Sequence, residues 1–171
     1  MARRGGFSLV ELAVVLLLMA IAAGAVALRV EGPIRRAKME TLVTRIAAFD
    51  RLTRTQGREL DRPLRTVIDA ATGELRRTTV DGRDAGVPLV LPEGFGIGRL
   101  WLAGQEFFSG NVAVSCSRQG LMPTYALLIE GPGGRRTWLL VAGLSGRVTE
   151  LDDEQAVQNI MDALRQGDDA R

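Results

Sequence analysis

The chain has 171 residues, 22 basic and 20 acidic side chains, a formal charge of +2 and no histidine. That size leaves room for one small globular domain beside a long helical segment, and the near balance of charge argues against a strongly electrostatic partner such as bulk nucleic acid. Without histidine the chain lacks the usual general base of hydrolases and the commonest metal ligand, and its single cysteine, Cys116, excludes an internal disulfide and a four-thiolate metal site.

Residues 1–6 form a short leader with Arg3 and Arg4 as its basic flank. An apolar run then covers 7–28, 22 residues whose only charge is Glu11. At about 1.5 Å per residue, as a helix it would span roughly 33 Å, enough to cross a bilayer. A secretory signal has a shorter apolar core ending in a small-residue cleavage site; here the small residues Gly5 and Gly6 precede the run, so a cut after Gly6 leaves the helix on the mature chain. That cut removes Arg3 and Arg4 and leaves 20 basic against 20 acidic side chains.

A carboxylate near the end of a lipid-spanning helix is costly and calls for a partner. After a cut at Gly6, the new amine of Phe7 would sit four residues before Glu11 on the same helix face, with the helix N-terminus adding partial positive charge. A plain signal anchor, with Glu11 reaching toward the headgroups, is the alternative. Loop charge does not decide orientation, because Arg29, Arg35, Arg36 and Lys38 follow the span. The twin Arg fits a Tat signal poorly, given the long apolar run with no cleavage site after it.

Helical periodicity resumes after Arg29, with Met39, Leu42, Val43, Ile46, Phe49 and Leu52 on one stripe and Arg45, Asp50, Arg51 and Arg54 on the other side. The pattern predicts that the helix continues through 29–56, kinked at Gly32-Pro33 and ended by Gly57. Ile46, Phe49 and Leu52 are expected to pack on the globular body, while other parts of the stripe could face neighbouring helices.

From Arg58 the pattern becomes short β-prone runs punctuated by Gly, Pro and Asp: 64–68, 74–80, 88–91, 98–102, 112–116, 125–130, 137–142 and 147–151. Asp69-Ala70-Ala71-Thr72-Gly73 reads as a hairpin turn, and the last three runs, joined by Gly131-Pro132-Gly133-Gly134 and Leu144-Ser145-Gly146, as a meander. Cys116 lies in an apolar run and reads as a buried small side chain. Asp152-Asp153 can cap a final helix carrying Ala156, Val157, Ile160, Met161 and Leu164 on one face, with Gly167 near its end.

Motifs that could carry chemistry reduce to structural duty. Gly94-Phe95-Gly96-Ile97-Gly98 and the Gly131–Gly134 turn lack the Lys-Ser/Thr and helix opening of a phosphate cradle, and the acidic pairs Asp152-Asp153 and Asp168-Asp169 lack calcium-loop spacing. Arg76-Arg77 and Arg135-Arg136 together with Trp101, Trp138 and Tyr125 are the residues that a DNA-contacting surface would use; scattered solvated arginines are the plainer reading. No enzyme activity, cofactor or metal is expected; a membrane-tethered enzyme with a β domain is the remote alternative.

At Arg3-Arg4-Gly5-Gly6-Phe7-Ser8-Leu9-Val10-Glu11 the chain resembles the type IV prepilin family, which includes the pseudopilins of type II secretion: a basic leader, Gly, Phe, then Ser/Thr-Leu-x-Glu opening an apolar helix. The resemblance implies cleavage between Gly6 and Phe7 by a membrane-embedded prepilin peptidase, methylation of the Phe7 amine, and contact of Glu11 with the N-terminal amine of a neighbouring subunit. It further implies other pseudopilins or pilins and an inner-membrane assembly platform as partners, a single-pass inner-membrane anchor at 7–28, and a periplasmic body at 57–171. Thr55-Gln56-Gly57-Arg58, the 64–68 strand, the 69–75 turn and Gly143-Leu144-Ser145-Gly146-Arg147-Val148 look like the GspH/FimT group of minor pseudopilins and minor pilins. The fold this implies is α+β: a long N-terminal transmembrane helix packed on a small antiparallel β-sandwich-like domain, with a short C-terminal helix. The function implied is that of a minor pseudopilin of a type II secretion pseudopilus, or, in the alternative, of a minor type IV pilin.

Overall fold

The structure, a computed structural model, describes residues 9–169, with the side chains of residues 23, 25–35 and 166–169 left aside. The chain divides into two compact units, 1–38 and 39–171. Helix α1 (Leu9–Glu59) supplies the described part of the first unit and the opening element of the second.

Helix α1 includes Gly32-Pro33, the position of the expected kink, and differs from the sequence expectation at its end, where it passes Gly57 and stops at Glu59. Gly57 is buried, and a Cβ there would meet the Ser117 carbonyl at 3.2 Å and the Cys116 sulfur at 3.4 Å. That glycine therefore serves a close approach of helix to strand. The helix stops two residues later, where Asp61 takes a left-handed φ of 47° and the Arg62 amide bonds back to the Gly57 carbonyl.

The body carries nine strands among the described residues, in two antiparallel sheets. The first has the order β3 (Leu89–Val90), β2 (Glu74–Thr79), β1 (Leu64–Asp69), β6 (Asn111–Cys116). The second has the order β5 (Gln105–Phe107), β4 (Gly96–Leu102), β7 (Tyr125–Gly131), β8 (Arg135–Val141), β9 (Val148–Leu151), so the last three strands form the expected meander. Asp69 makes the β1–β2 turn by accepting hydrogen bonds from the Ala71 and Thr72 amides, at 2.9 and 3.3 Å, and Gly73 closes it at φ 66°. Hydrogen bonding from the Thr72 side chain and those amides holds the Asp69 carboxyl below its usual range.

One core lies between the inner faces of both sheets and the body's part of α1. Met39, Leu42, Ile46 and Phe49 pack there with Leu64 and Ile68 of β1, Val112 and Val114 of β6, and Tyr125, Leu127 and Ile129 of β7. The other face of β7 meets a second helix, α2 (Glu154–Asp169), through Ala126 and Leu128, against Val157 and Met161. A strand covered on both faces needs apolar side chains at successive positions, and this accounts for the unbroken Tyr-Ala-Leu-Leu-Ile run. The Asp153 side chain caps α2 by accepting the Gln155 amide at 3.0 Å, as its position before the apolar face predicts. The helix continues past Gly167, and Leu164, placed on the apolar face by its spacing, is 47% exposed.

Two features of the second sheet escape sequence reading. Strand β5 follows a two-residue turn in which Ala103 and Gly104 take φ of 50° and 73°, the left-handed pair of a tight hairpin, but Ala-Gly lacks the usual Asn or Asp signal. Strand β4 begins at Gly96, and its register with β7 shifts between Ile97 and Arg99. A Cβ at the intervening Gly98 would meet the Glu130 carboxyl at 2.9 Å, so a larger residue at this bulge would displace that side chain.

Candidate functional site

The residues singled out at the N-terminus separate into two groups. Gly6 and Phe7 lie outside the described residues. Glu11 sits in the first turn of α1 and is exposed. Around it Leu9, Val10, Leu12, Val14, Val15, Leu16, Leu17 and Leu18 are also exposed, each by nearly half or more. A helix that exposes apolar groups on every side leaves them open to a further apolar surface. Among the described residues no helix is long and apolar enough to cross a membrane; the apolar run at 7–28 includes residues outside those described.

Within the body, α1 carries a polar cluster that the sequence pattern places on the wrong side. Asp50 and Arg54 are 1% and 6% exposed, whereas Leu52, assigned to the packed stripe, is 54% exposed. At about 100° per residue, the buried stripe through residues 39, 42, 46, 49, 53 and 57 centres so that Leu52 falls roughly 105° away, somewhat farther than Arg54 and about twice as far as Asp50. The i, i+4 spacing of an acid and a base was the available signal.

Arg54 Nε meets Asp50 Oδ2 at 2.6 Å. Its Nη1 donates to the Gly143 carbonyl and, at 3.3 Å, to the Gly120 carbonyl, and its Nη2 donates to the Ala142 carbonyl at 3.4 Å. Tyr125 donates its hydroxyl to Asp50 Oδ1 at 3.5 Å. The side chain of Thr53 caps its own turn by bonding the Phe49 carbonyl, and Cys116 lies against the Thr53 carbonyl at 3.9 Å. The Gly143-to-Gly146 loop, recognised as a family-like segment in the sequence, is thus the receptor for an α1 guanidinium. The arrangement fixes helix to sheet; it aims no nucleophile or general base at open space.

Burial pushes the Cys116 thiol up, and it pushes the Tyr125 phenol well above its ordinary range, with Asp50 adding to the shift. A raised folded-state value means that the unfolded phenol loses its proton first, so this contribution to stability is complete below about pH 10 and declines above it. Tyr125 is the only tyrosine. Tyrosinate absorbance should therefore stay absent in the native protein above that pH and appear together with unfolding, while Tyr125→Phe should remove that part of the alkaline loss of melting temperature. Free titration of the phenol before unfolding would contradict its burial.

The arginine and aromatic residues considered for nucleic acid are not brought together. Arg77 turns inward, its guanidinium 5.1 Å from the Phe49 ring and bonded to Gln56, and burial lowers its pKa. Arg76 pairs with Glu74, and Arg136 with Glu130. Tyr125 and Trp138 are buried in different clusters. Trp138 stacks edge-on with Trp101, at 6.5 Å, beneath α2. Arg99 lies over Trp138 and holds Glu106 and Glu154, which raise its pKa and tie the start of α2 to β4. Among the described residues no group of three or more metal-ligating side chains occurs.

Comparison with known proteins bears on the N-terminus. No curated protein matches the chain. Among solved structures, the minor pseudopilin EpsH from the type 2 secretion system of Vibrio cholerae is similar at 14% identity and a TM-score of 0.48, over 66% of this chain and 95% of that one. Residues 1–27 match the family model described as the prokaryotic N-terminal methylation motif. The segment holding Gly6, Phe7 and Glu11 is thereby identified as a type IV prepilin-like methylation motif.

Proposed function

We propose that the protein is a minor pseudopilin, a structural subunit of the pseudopilus of a type II secretion system and not an enzyme. The observation that carries this reading is the methylation motif over residues 1–27, whose one acid, Glu11, stands in the first turn of an apolar and exposed helix. In this reading residues 7–28 anchor the chain in the inner membrane, and the β-rich body lies in the periplasm. A prepilin peptidase removes 1–6 and methylates the Phe7 amine, and an inner-membrane platform draws the mature chain into the filament.

The chemistry of Glu11 follows from its surroundings. A carboxylate within hydrocarbon is stabilised by a cation that shares its environment. The cleaved Phe7 amine supplies one, either in the same chain, one helical turn away, or on a neighbouring subunit, where the pairing sets the axial register of assembly. In cells with active prepilin peptidase, mass spectrometry of the mature N-terminus should find methylated Phe7; an intact leader there would refute the reading. Glu11→Leu should still be processed but should enter the filament on the order of 100-fold less well, as expected for the loss of a buried charge partner worth about 3 kcal/mol. Normal incorporation of that variant would remove Glu11 from assembly.

A further inference from the structure

Strand β6 is an edge without protection. It ends the first sheet, pairs only with β1, and no other strand lies along its far side among the described residues. Edge strands are ordinarily kept from pairing by shortness, charge, proline or a bulge. The other three edges follow that rule: β3 has two residues, β5 has three and holds Glu106 in an ion pair, and β9 exposes Glu150. In contrast, β6 runs six residues, Asn-Val-Ala-Val-Ser-Cys, with no charge or proline and an unbroken register.

The hydrogen-bonding direction follows from one contact. The Ala70 amide donates to the Gly110 carbonyl at 3.3 Å. Antiparallel pairs alternate between bonded and non-bonded, so Val112, Val114 and Cys116 spend their backbone groups on β1. The backbone groups of Asn111, Ala113 and Ser115 then face the open edge, and these three residues are also the exposed ones.

We infer that this edge pairs with the same edge of a second copy of the chain, antiparallel about a two-fold axis at Ala113. With Ala113 opposite its counterpart, Asn111 faces Ser115 of the second copy, and the seam itself is uncharged. Across β1, β6 and the second copy's β6 and β1, one row reads Asp69, Asn111, Ser115 and Arg65, and the middle row reads Val67 and Ala113 from each. The two strands that meet at the seam bring no charge together, and the nearest charges, Asp69 and Arg65 of the second copy, are opposite in sign; on β2, one strand farther out, Glu74 and Arg76 extend the rows. On the inner face Ile68 and Val112 continue into Val114 of the second copy, so the apolar layer crosses the seam and reaches Thr66 beyond it. A self-complementary edge of this kind closes as a dimer, and the inference stands apart from the N-terminal motif.

The full-length protein in detergent micelles provides the test. With Ala113→Cys, a thiol oxidant such as diamide should form a disulfide-linked dimer several-fold faster than with Val87→Cys, which lies on an exposed loop. An equimolar mixture of Asn111→Cys and Ser115→Cys should cross-link, and Asn111→Cys alone should not. The unaltered chain, with only buried Cys116, gives the background. In the ultracentrifuge Ala113→Lys should shift dimer to monomer. A monomer at every concentration, a dimer that survives Ala113→Lys, or Ala113→Cys linking no faster than Val87→Cys would each overturn the inference and leave the edge to a different protein's strand.

Discussion

Replacing Arg54 by alanine should cost about 3–5 kcal/mol, because it strands the Asp50 carboxylate in the core. The acid is 1% exposed and keeps only a long contact from the Tyr125 hydroxyl, while the carbonyls of Gly120, Ala142 and Gly143 lose their shared donor. Burial decides the magnitude here, since an exposed i, i+4 pair would contribute only about 0.3–0.5 kcal/mol. For a chain of this size the melting temperature should fall by on the order of 10 °C. Thermal and denaturant unfolding of the purified protein would check this. The double variant Asp50→Leu with Arg54→Met should be less damaging than the sum of the single changes, because neither charge is then left alone. A loss below about 1 kcal/mol for Arg54→Ala would mean that water reaches the acid.

Gly143→Ala should be at least as harmful. A Cβ at that position would collide with the Met122 carbonyl, the Thr124 amide at 2.7 Å and the Pro123 carbonyl carbon at 2.8 Å. All three are backbone atoms, so no side chain can swing away. The Gly143 amide is itself bonded to Thr124 Oγ1 at 2.9 Å, and its carbonyl accepts from Arg54, so displacing the loop breaks both attachments. A loss above about 3 kcal/mol, or failure to fold, is expected. Gly96→Ala makes the control, since nothing lies within 4 Å of its Cβ position and its φ is unexceptional; that change should stay within about 0.5 kcal/mol. Equal effects from the two substitutions would contradict the packing around Gly143.

Much of this architecture could be read from residue pattern because it rests on local rules. Alternating side chains gave eight strands to within a few residues, Asp69 and Gly73 marked a turn by their own chemistry, and Asp153 marked a helix start. What escaped depends on partners distant in sequence. Gly57 resembles a helix terminator until Ser117 is seen against it. Asp50 and Arg54 look solvated until loops about 70 and 90 residues later are placed around the guanidinium. At the N-terminus the reverse holds: the pattern of Gly6, Phe7 and Glu11 before and within an apolar run is itself the signal, and the resemblance read from it agrees with the methylation motif matched over 1–27.

The clamp on Arg54 also has a temporal side. Its oxygen acceptors at Ala142 and Gly143 are separated from it by 88 and 89 positions. During synthesis the guanidinium therefore emerges long before its receptors. Until nearly all of the second sheet has left the ribosome, the nascent body holds an acid and a base with at most the Gly120 carbonyl to dock them, so completion of the fold is tied to arrival of the chain's last fifth or so.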